Sequence, residues 1–270
     1  MNIISAIGAT YQSKLSHFRK KMELGLNIIR VKLLKHDNSE SVKEYNLFGK
    51  RFKYINSYDF LHSLEEIFLE EVYKCSLGET PLIIDCGANI GLSVLYFKRA
   101  YPGAKIIAFE PDVNNYELIK QNIESYNLSG VELRKEAVWV KEETLKFKTM
   151  GSLGSMIVSG ASDDTYDVKA IRLKELLAQE VDMLKMDIEG AEYQVIKDVA
   201  PELKNVKNLF LEYHGTFSEM SKLSELFTLL TNSGFSYYIK EALNIYRTPF
   251  YRSDIEHPYD VQLNIFCFRT

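Results

Sequence analysis

The spacing of hydrophobic and polar positions changes along this chain, and each change predicts a different local structure. Residues 1–36 place apolar side chains at roughly helical intervals, which predicts a helix. The segment VKEYNLFGKRFKYIN contains two alternating runs around Gly49 and predicts a β-hairpin. SYDFLHSLEEIFLEEVYKC then begins with Ser or Asp and repeats apolar residues every three or four positions, which predicts an amphipathic helix. We therefore expect residues 1–77 to form an N-terminal extension with a basic helix, a hairpin and a second helix.

From residue 78 onward, short apolar runs alternate with amphipathic segments. PLIID, AKIIAFE, VELRKEAVWV, VDMLKMD and KNLFLEYH predict strands, and RLKELLAQ and EGAEYQVIKDV are among the predicted helices. Such alternation predicts βαβ units on a parallel sheet, so residues 78–270 are expected to form an α/β domain. FSYYIK and VQLNIFCFR have no helix between them and predict an antiparallel finish. Residues 138–160 predict a hairpin and a loop. Within them, the glycine-rich residues 150–160 fit either a mobile loop over an acceptor or a plain hairpin turn.

Composition and charge narrow the classes of protein that this chain can represent. Its 270 residues are 46% hydrophobic and 26% charged, which is typical of a globular protein, and its net charge of −4 argues against nucleic-acid binding. Residues 1–36 nevertheless hold seven Lys or Arg and one acid. That segment fits either a helix on an anionic membrane or acidic partner, or an accessory helix packed on the body or on another subunit. The packed helix is the preferred interpretation.

The cysteine pattern and the lack of long apolar stretches bear on the cellular compartment. Cys75, Cys86 and Cys267 show no CxxC spacing, so they predict neither a disulfide framework nor a zinc site. No stretch approaches the ~18–20 apolar residues that span a bilayer. The N-terminus also lacks the pattern of a secretory signal. We therefore expect a cytoplasmic protein.

The turn after the first predicted parallel strand is the main candidate for a ligand site. Ligands of open α/β sheets bind beyond the carboxyl ends of the strands, and here the chain reads DCGANIG from Asp85 to Gly91. Glycines at both ends of GANIG permit a tight turn and the close approach of a ligand. The Asp85 carboxylate suits a cation or an amine. S-adenosylmethionine offers an ammonium and a sulfonium but no phosphate.

A second acid supports the same choice of cofactor. Glu110 ends the next strand, 25 residues after Asp85, and Pro111 fixes the turn that follows. An acid at this position of a Rossmann-type sheet accepts hydrogen bonds from two ribose hydroxyls. The turn lacks the G-x-G-x-x-G pattern, and Asp85 places negative charge where a pyrophosphate would lie. We prefer S-adenosylmethionine, with an NAD(P)-dependent oxidoreductase and a non-catalytic cofactor-binding scaffold as the alternatives.

Three separated blocks of this sequence resemble the FkbM-type methyltransferases. They are IIDCGANIGLSVLYFKRAYPGAKIIAFEPDVNNYELIKQNI, VDMLKMDIEGAEYQVI and LFLEYH, in this order within residues 80–215. The resemblance implies a Rossmann-like class I methyltransferase with a seven-stranded sheet. It also implies O-methylation of a hydroxyl, often on a sugar of a polysaccharide, glycolipid or secondary metabolite. The cofactor-binding residues implied by the motifs are Asp85, Gly87, Asn89, Gly91, Glu110 and Asp112, with Glu136 and Ala137 as further candidates beside the adenine.

A second polar group follows later strands and suggests the chemistry. Asp187 ends a buried strand on the same edge of the sheet as the cofactor turn. Glu189 and Glu192 are expected at the start of the next helix, three residues apart and therefore on one face, and His214 ends the following strand. A carboxylate or imidazole there can take the proton of an acceptor hydroxyl, and the same ligands can hold a divalent metal such as Mg²⁺. We predict catalytic roles for Asp187, Glu189 and His214. Helix capping by Asp187 is the structural alternative.

Overall fold

A computed structural model describes residues 16–37, 39, 41–149, 155–157, 165–252 and 257–269. Residues 16–23 are helical. The other α-helices are α1 (Ile28–His36), α2 (Ser57–Leu64), α3 (Leu92–Ala100), α4 (Val113–Tyr126), α5 (Glu192–Val199) and α6 (Met220–Asn232). The strands are β1 (Lys43–Leu47), β2 (Lys50–Tyr54), β3 (Leu82–Cys86), β4 (Lys105–Phe109), β5 (Val131–Arg134), β6 (Ala137–Trp139), β7 (Glu143–Thr149), β8 (Ser155–Ile157), β9 (Thr165–Arg172), β10 (Val181–Met186), β11 (Val206–Gly215), β12 (Ser236–Glu241) and β13 (Val261–Phe268).

A seven-stranded sheet with the order β12-β13-β11-β10-β3-β4-β5 forms the centre of the fold. Its neighbouring strands are parallel except in the two ladders that β13 makes with β11 and β12. This confirms the predicted Rossmann-like α/β fold with an antiparallel C-terminal strand pair. From β3 the chain first builds outward through β4 and β5, and it later returns to add β10 on the other side. The strand order therefore reverses between β3 and β10, where ligands of such sheets bind.

A second sheet, with the order β6-β9-β7-β8, lies outside the predicted alternation. The predicted hairpin in residues 138–160 is present as the antiparallel pair of β7 and β8, whereas residues 150–154 and 158–160 lie outside the described part. The predicted helix RLKELLAQ is instead the end of β9 followed by a short 3-10 helix, Leu173–Ala178. Leu173 and Leu177 lie in this short helix and are both buried. Their four-residue spacing is the same as that of the buried face of an α-helix, which is why the sequence predicted one.

The predicted hairpin of the extension packs against helix α4. Its turn places Phe48 and Gly49 at φ 52° and 79°, as the two-residue turns that suit strand twist require. The Lys53 N–H donates to Asn122 Oδ1 at 2.7 Å, which ties β2 to α4. One hydrophobic core includes buried side chains from both sides of residue 77. Both parts of the chain therefore contribute to one core, and the boundary at residue 77 stays a prediction.

The second helix of the extension begins and ends differently from the prediction. Asn56 caps α2 by accepting hydrogen bonds from the Tyr58 and Asp59 N–H groups, so neither a Ser nor an Asp provides the cap. After α2 the backbone continues as a π-helical turn, Glu65–Leu69, and regular helix ends there rather than at Cys75. π-Helical turns widen a helix locally and are frequent near functional sites.

The basic N-terminal segment is only partly within the described residues. The apolar positions up to residue 15 lie outside them, and Phe18 and Met22 are 61% and 60% exposed. Lys20 Nζ contacts the Glu71 carboxylate at 2.6 Å, and Leu24 is buried in the main core. Binding of this segment to a membrane or a partner stays a prediction. Over the described residues, no helix combines the length and apolar character that crossing a bilayer requires.

Candidate active site

A cleft opens where the carboxyl ends of β3, β4 and β10 meet. Its volume is about 610 Å³ including the open mouth. The residues of the sequence prediction that line it are Gly87, Asn89, Glu110, Glu136, Ala137, Asp187 and Glu189. Apolar side chains that the sequence analysis did not single out also line the cleft, among them Phe109, Val138, Phe147 and Ile188. Their apolar character alone marks them as ordinary core residues, so only the fold identifies them as part of a site.

The turn at Gly87 is in close contact with β4 on one side and with the end of β10 on the other. A Cβ atom at this position would lie 1.8 Å from the Asp187 carbonyl oxygen, and the residue has φ +83°. The N–H groups of Gly87 and Ala88 both donate to the Phe109 carbonyl, at 3.0 and 2.8 Å. Glycine is therefore required at position 87 by the close approach of β10 as well as by the backbone angle.

Gly91 and Asp112 are two further residues predicted to line the cofactor, and that role stays a prediction. In the structure both make packing or capping contacts. A Cβ on Gly91 would lie 2.8 Å from Ile119 Cγ1, so this glycine lets α3 pack against α4. Asp112 caps α4, because its Oδ1 accepts from the Asn114 and Asn115 N–H groups. Neither residue belongs to the lining of the cleft. Gly91 therefore supports the packing of α3 against α4, and Asp112 stabilises the start of α4.

Glu110 is buried in the wall of the cleft with both carboxylate oxygens held by backbone donors. Oε2 accepts from the Asn89 N–H at 2.7 Å, and Oε1 accepts from the Asp112 N–H at 2.9 Å. Burial raises the pKa of Glu110 to about 8, although these two N–H groups lower it. Each carboxylate oxygen has a second lone pair, so the group can still accept hydrogen bonds from a ligand.

Asp85 lies beneath the cofactor turn rather than in the cleft. Its side chain is 0% exposed, and it accepts a hydrogen bond from Ser93 Oγ at 2.5 Å. The Lys185 Nζ lies 3.4 Å from Asp85 Oδ1 and donates to the Gly87 carbonyl at 2.5 Å. The charge of Asp85 is compensated by Lys185, and the pair supports the turn from below. The contact of Asp85 with a cofactor ammonium stays a prediction.

Lys185 is a site residue that the sequence analysis missed. Burial disfavours its ammonium form, but Asp85 and Asp187 outweigh that effect and hold the pKa of Lys185 well above its usual value. A lone lysine within the apolar run VDMLKM was the available signal, since a buried charge needs a partner. The sequence could not show that the partner lies on another strand.

The backbone after β10 forms a turn instead of the first helical residues. Helix α5 begins at Glu192 with Ala191 at its N-cap, so Asp187 does not cap it and Glu189 precedes it at φ 53°. This corrects the expectation that Glu189 and Glu192 share a helix face. Glu192 is fully buried and accepts from the N–H groups of Ile188 and Gly190 at 3.1 Å, which fixes the turn. Burial raises the pKa of Glu189 to about 7.

His214 lies behind this turn among carboxylates. Its Nδ1 is 3.1 Å from Glu192 Oε1, and its Nε2 is 3.8 Å from Glu189 Oε2 and 3.7 Å from Glu212 Oε1. Burial lowers the pKa of His214, but Glu192 and the other acids raise it more, to about 10. Because a protonated imidazole cannot accept a proton, this raised pKa disfavours His214 as a proton acceptor. The catalytic roles of Glu189 and His214 stay predictions. Glu212 was missed, although it stands two residues before His214 and so faces the same side of β11.

The sequence profile described as "Methyltransferase FkbM domain" matches residues 85–237, more than half of the chain. The chain belongs to the FkbM methyltransferase family. This protein is thus an S-adenosylmethionine-dependent methyltransferase, as the three sequence blocks predicted. The family assignment decides against the NAD(P)-dependent oxidoreductase and the non-catalytic scaffold.

Named relatives share most of their length with this methyltransferase. Methyltransferase sdnD of Sordaria araneosa is 30% identical over 210 residues, which cover 63% of this chain and 80% of the relative. Methyltransferase 1 of Beauveria bassiana is 27% identical over 209 residues, covering 66% of this chain and 81% of the relative. Among solved structures, methyltransferase FkbM from Methylobacillus flagellatus KT is 14% identical with a TM-score of 0.48, covering 71% of this chain and 44% of that one.

The residues of the cleft fit the cofactor of this family. The Glu110 carboxylate lies in the lining with lone pairs left to accept from two vicinal hydroxyls. Ala137 and Val138 offer a small apolar surface for a flat ring, and Gly87 has no side chain that would fill the space beside the turn. S-adenosylmethionine carries no phosphate, which agrees with a lining that contains carboxylates and no lysine or arginine among the described residues.

Proposed function

We propose that this methyltransferase transfers a methyl group to a hydroxyl oxygen, with a sugar of a polysaccharide, glycolipid or secondary metabolite as the acceptor. One observation supports the proposal most strongly: Asp187 and Glu189 line the same cleft as Glu110. S-adenosylmethionine supplies an electrophilic methyl group on its sulfonium. The protein's own residues must hold the acceptor oxygen beside that group and remove its proton.

The cofactor half of the cleft is assigned to residues from β3, β4 and β6. Glu110 accepts hydrogen bonds from the ribose hydroxyls, and Ala137 packs against the adenine. Glu136 is anchored by the Arg134 guanidinium, whose Nε donates to its Oε2 at 2.7 Å, so its carboxylate is held at the rim of the lining. Asn89 supports Glu110 through its backbone N–H.

The acceptor half is assigned to the turn after β10. Carboxylates accept hydrogen bonds from hydroxyls, so Asp187 orients the acceptor and Glu189 takes its proton. The Tyr259 hydroxyl donates to the Glu189 carbonyl at 2.8 Å, which holds the turn in position. Asn89 and Glu189 both have positive φ and both line the cleft. Strained backbone of this kind is concentrated at functional sites, where surrounding contacts maintain it.

The Glu189→Gln variant should transfer methyl groups at least about tenfold more slowly than the wild type, because the amide cannot take the hydroxyl proton. Its melting temperature and its affinity for S-adenosylhomocysteine should stay near wild type. The measurement uses radiolabelled S-adenosylmethionine with a panel of methyl glycosides, and with amino sugars to distinguish oxygen from nitrogen acceptors.

Glu180→Gln is the matched control for the loss of one carboxylate, since Glu180 is a surface residue paired with Lys207. It should leave turnover unchanged. Wild-type turnover in Glu189→Gln would place the proton acceptor elsewhere, and unfolding of that variant would make Glu189 a structural residue.

A further inference from the structure

We propose that Asp187, Glu212 and His214 bind a divalent cation at the inner wall of the cleft. One ligand atom from each of the three side chains lies within 4.8 Å of the other two. Ligands of an octahedral cation at about 2.0–2.2 Å are separated by about 3 to 4.4 Å, so a small movement of the side chains completes the geometry. Binding of the cation does not depend on the proposed function, but its effect on the acceptor rests on it.

The surroundings of His214 match those of a metal-binding imidazole. Its Nδ1 faces Glu192 Oε1 at 3.1 Å, so Nδ1 keeps its hydrogen, and the bound cation takes the place of the proton on Nε2. Nε2 points toward the Glu189 and Glu212 carboxylates at distances beyond hydrogen-bond length. A carboxylate that holds one imidazole nitrogen while the other binds a metal is the usual arrangement in metalloproteins.

A buried amide oxygen provides an independent indication of a ligand. Asn264 is only 3% exposed, and its Nδ2 donates to Glu66 Oε1 at 2.7 Å. Its Oδ1 is buried and has no hydrogen-bond partner among the described residues. The β11–β13 register places Asn264 directly opposite Glu212. Since paired residues of neighbouring strands project to the same face, this oxygen lies on the same face of the sheet as the proposed ligands Glu212 and His214.

Negative charge at this position exceeds the positive charge beside it. Glu189 and Glu192 lie within 3.8 Å of the His214 ring nitrogens, in addition to the proposed ligand Glu212. The Lys185 ammonium lies 3.4 Å from Asp187 Oδ2, and it is shared with Asp85. A divalent cation compensates this excess of buried and partly buried carboxylates, whose mutual repulsion is otherwise costly.

The mixture of donors selects the kind of cation and its role. Carboxylate and amide oxygens suit Mg²⁺, Ca²⁺ and Mn²⁺, whereas an imidazole nitrogen suits transition metals, so Mn²⁺ satisfies both preferences. Asp187 also lines the cleft, which places the cation next to the acceptor. There it lowers the pKa of the acceptor hydroxyl and assists the removal of its proton by Glu189.

The test is a titration of the full chain with Mn²⁺ after removal of metals by a chelator, followed by the electron paramagnetic resonance signal of the free ion. The wild type should bind one Mn²⁺ per chain, and Glu212→Gln should bind it at least about tenfold more weakly. Asp182→Asn is the matched control, because Asp182 lies at the opposite end of the same strand as Asp187 and contacts the Leu82 N–H and Lys207. It should bind Mn²⁺ like the wild type.

Melting temperatures show whether each variant is folded, and His214→Gln replaces Glu212→Gln if the latter is not. Absence of stoichiometric binding by the wild type, or equal binding by a folded ligand variant, would overturn the proposed site. Methyl transfer to methyl glycosides is measured on the same samples. Mn²⁺ binding without any O-methylation supports the site and contradicts the proposed function. O-methylation by metal-stripped protein that binds no Mn²⁺ supports the proposed function and contradicts the site.

Discussion

Alanine at position 87 should destabilise the protein by about 3 kcal/mol or more and remove cofactor binding. The added Cβ would lie 1.8 Å from the Asp187 carbonyl oxygen, a backbone atom that cannot rotate away. Separating the turn from β10 would break the hydrogen bond from the Asp187 N–H to the Cys86 carbonyl. The left-handed backbone costs about 1–2 kcal/mol for alanine, and forced overpacking adds about 1–3 kcal/mol. Urea unfolding and calorimetry with S-adenosylhomocysteine measure the two effects.

Gly49→Ala separates the steric effect from the backbone effect. Gly49 has φ +79°, nearly that of Gly87, but a Cβ there meets no atom within 4 Å. The Gly49→Ala variant should lose about 1–2 kcal/mol of unfolding free energy and retain cofactor binding. Equal losses in the two variants would show that β10 does not restrict position 87, contrary to the structure.

Lys185→Met should destabilise the protein by about 3–5 kcal/mol at neutral pH, since it leaves a buried carboxylate without its counter-charge. That carboxylate belongs to Asp85, which is 0% exposed and has Ser93 as its other partner. The methionine also cannot donate to the Gly87 carbonyl, so the cofactor turn loses a support. Chemical denaturation of purified variants measures the effect.

The double variant Asp85→Asn/Lys185→Met is the control for charge. Asparagine can still accept the Ser93 hydrogen bond but carries no charge, so much of the lost stability should return. A double variant no more stable than Lys185→Met would mean that packing around the lysine, and not its pairing with Asp85, accounts for the loss.

The sheet and the cofactor turn could be predicted because their signals are local in sequence. Strands buried on both faces are continuous apolar runs, as in Leu82–Cys86, and the helices between them have a different period. Glu110 could be assigned from its place at the end of a strand. Its position in the cleft lining agrees with that assignment.

Features that depend on contacts between distant segments could not be predicted. Asp85 and Lys185 are separated by 100 residues. The sequence therefore showed a carboxylate at the turn but not the lysine ammonium that compensates its charge. The second sheet was missed because β6 and β9 pair across the β7–β8 hairpin. The start of α5 was placed too early because Glu192 accepts from the Ile188 and Gly190 N–H groups, and that contact is invisible in a pattern of apolar positions.

Calorimetric titration tests most directly whether Glu110 holds the cofactor in this cleft. S-adenosylhomocysteine should bind the wild type with one site per chain, and NADH should give no binding heat. At a pH above the raised pKa of Glu110, Glu110→Ala should weaken the binding of S-adenosylhomocysteine by more than about 1 kcal/mol, because an ionised carboxylate that accepts from two hydroxyls exceeds a single neutral hydrogen bond. Unchanged affinity in a folded Glu110→Ala variant, or tight binding of NADH in place of S-adenosylhomocysteine, would contradict the assignment.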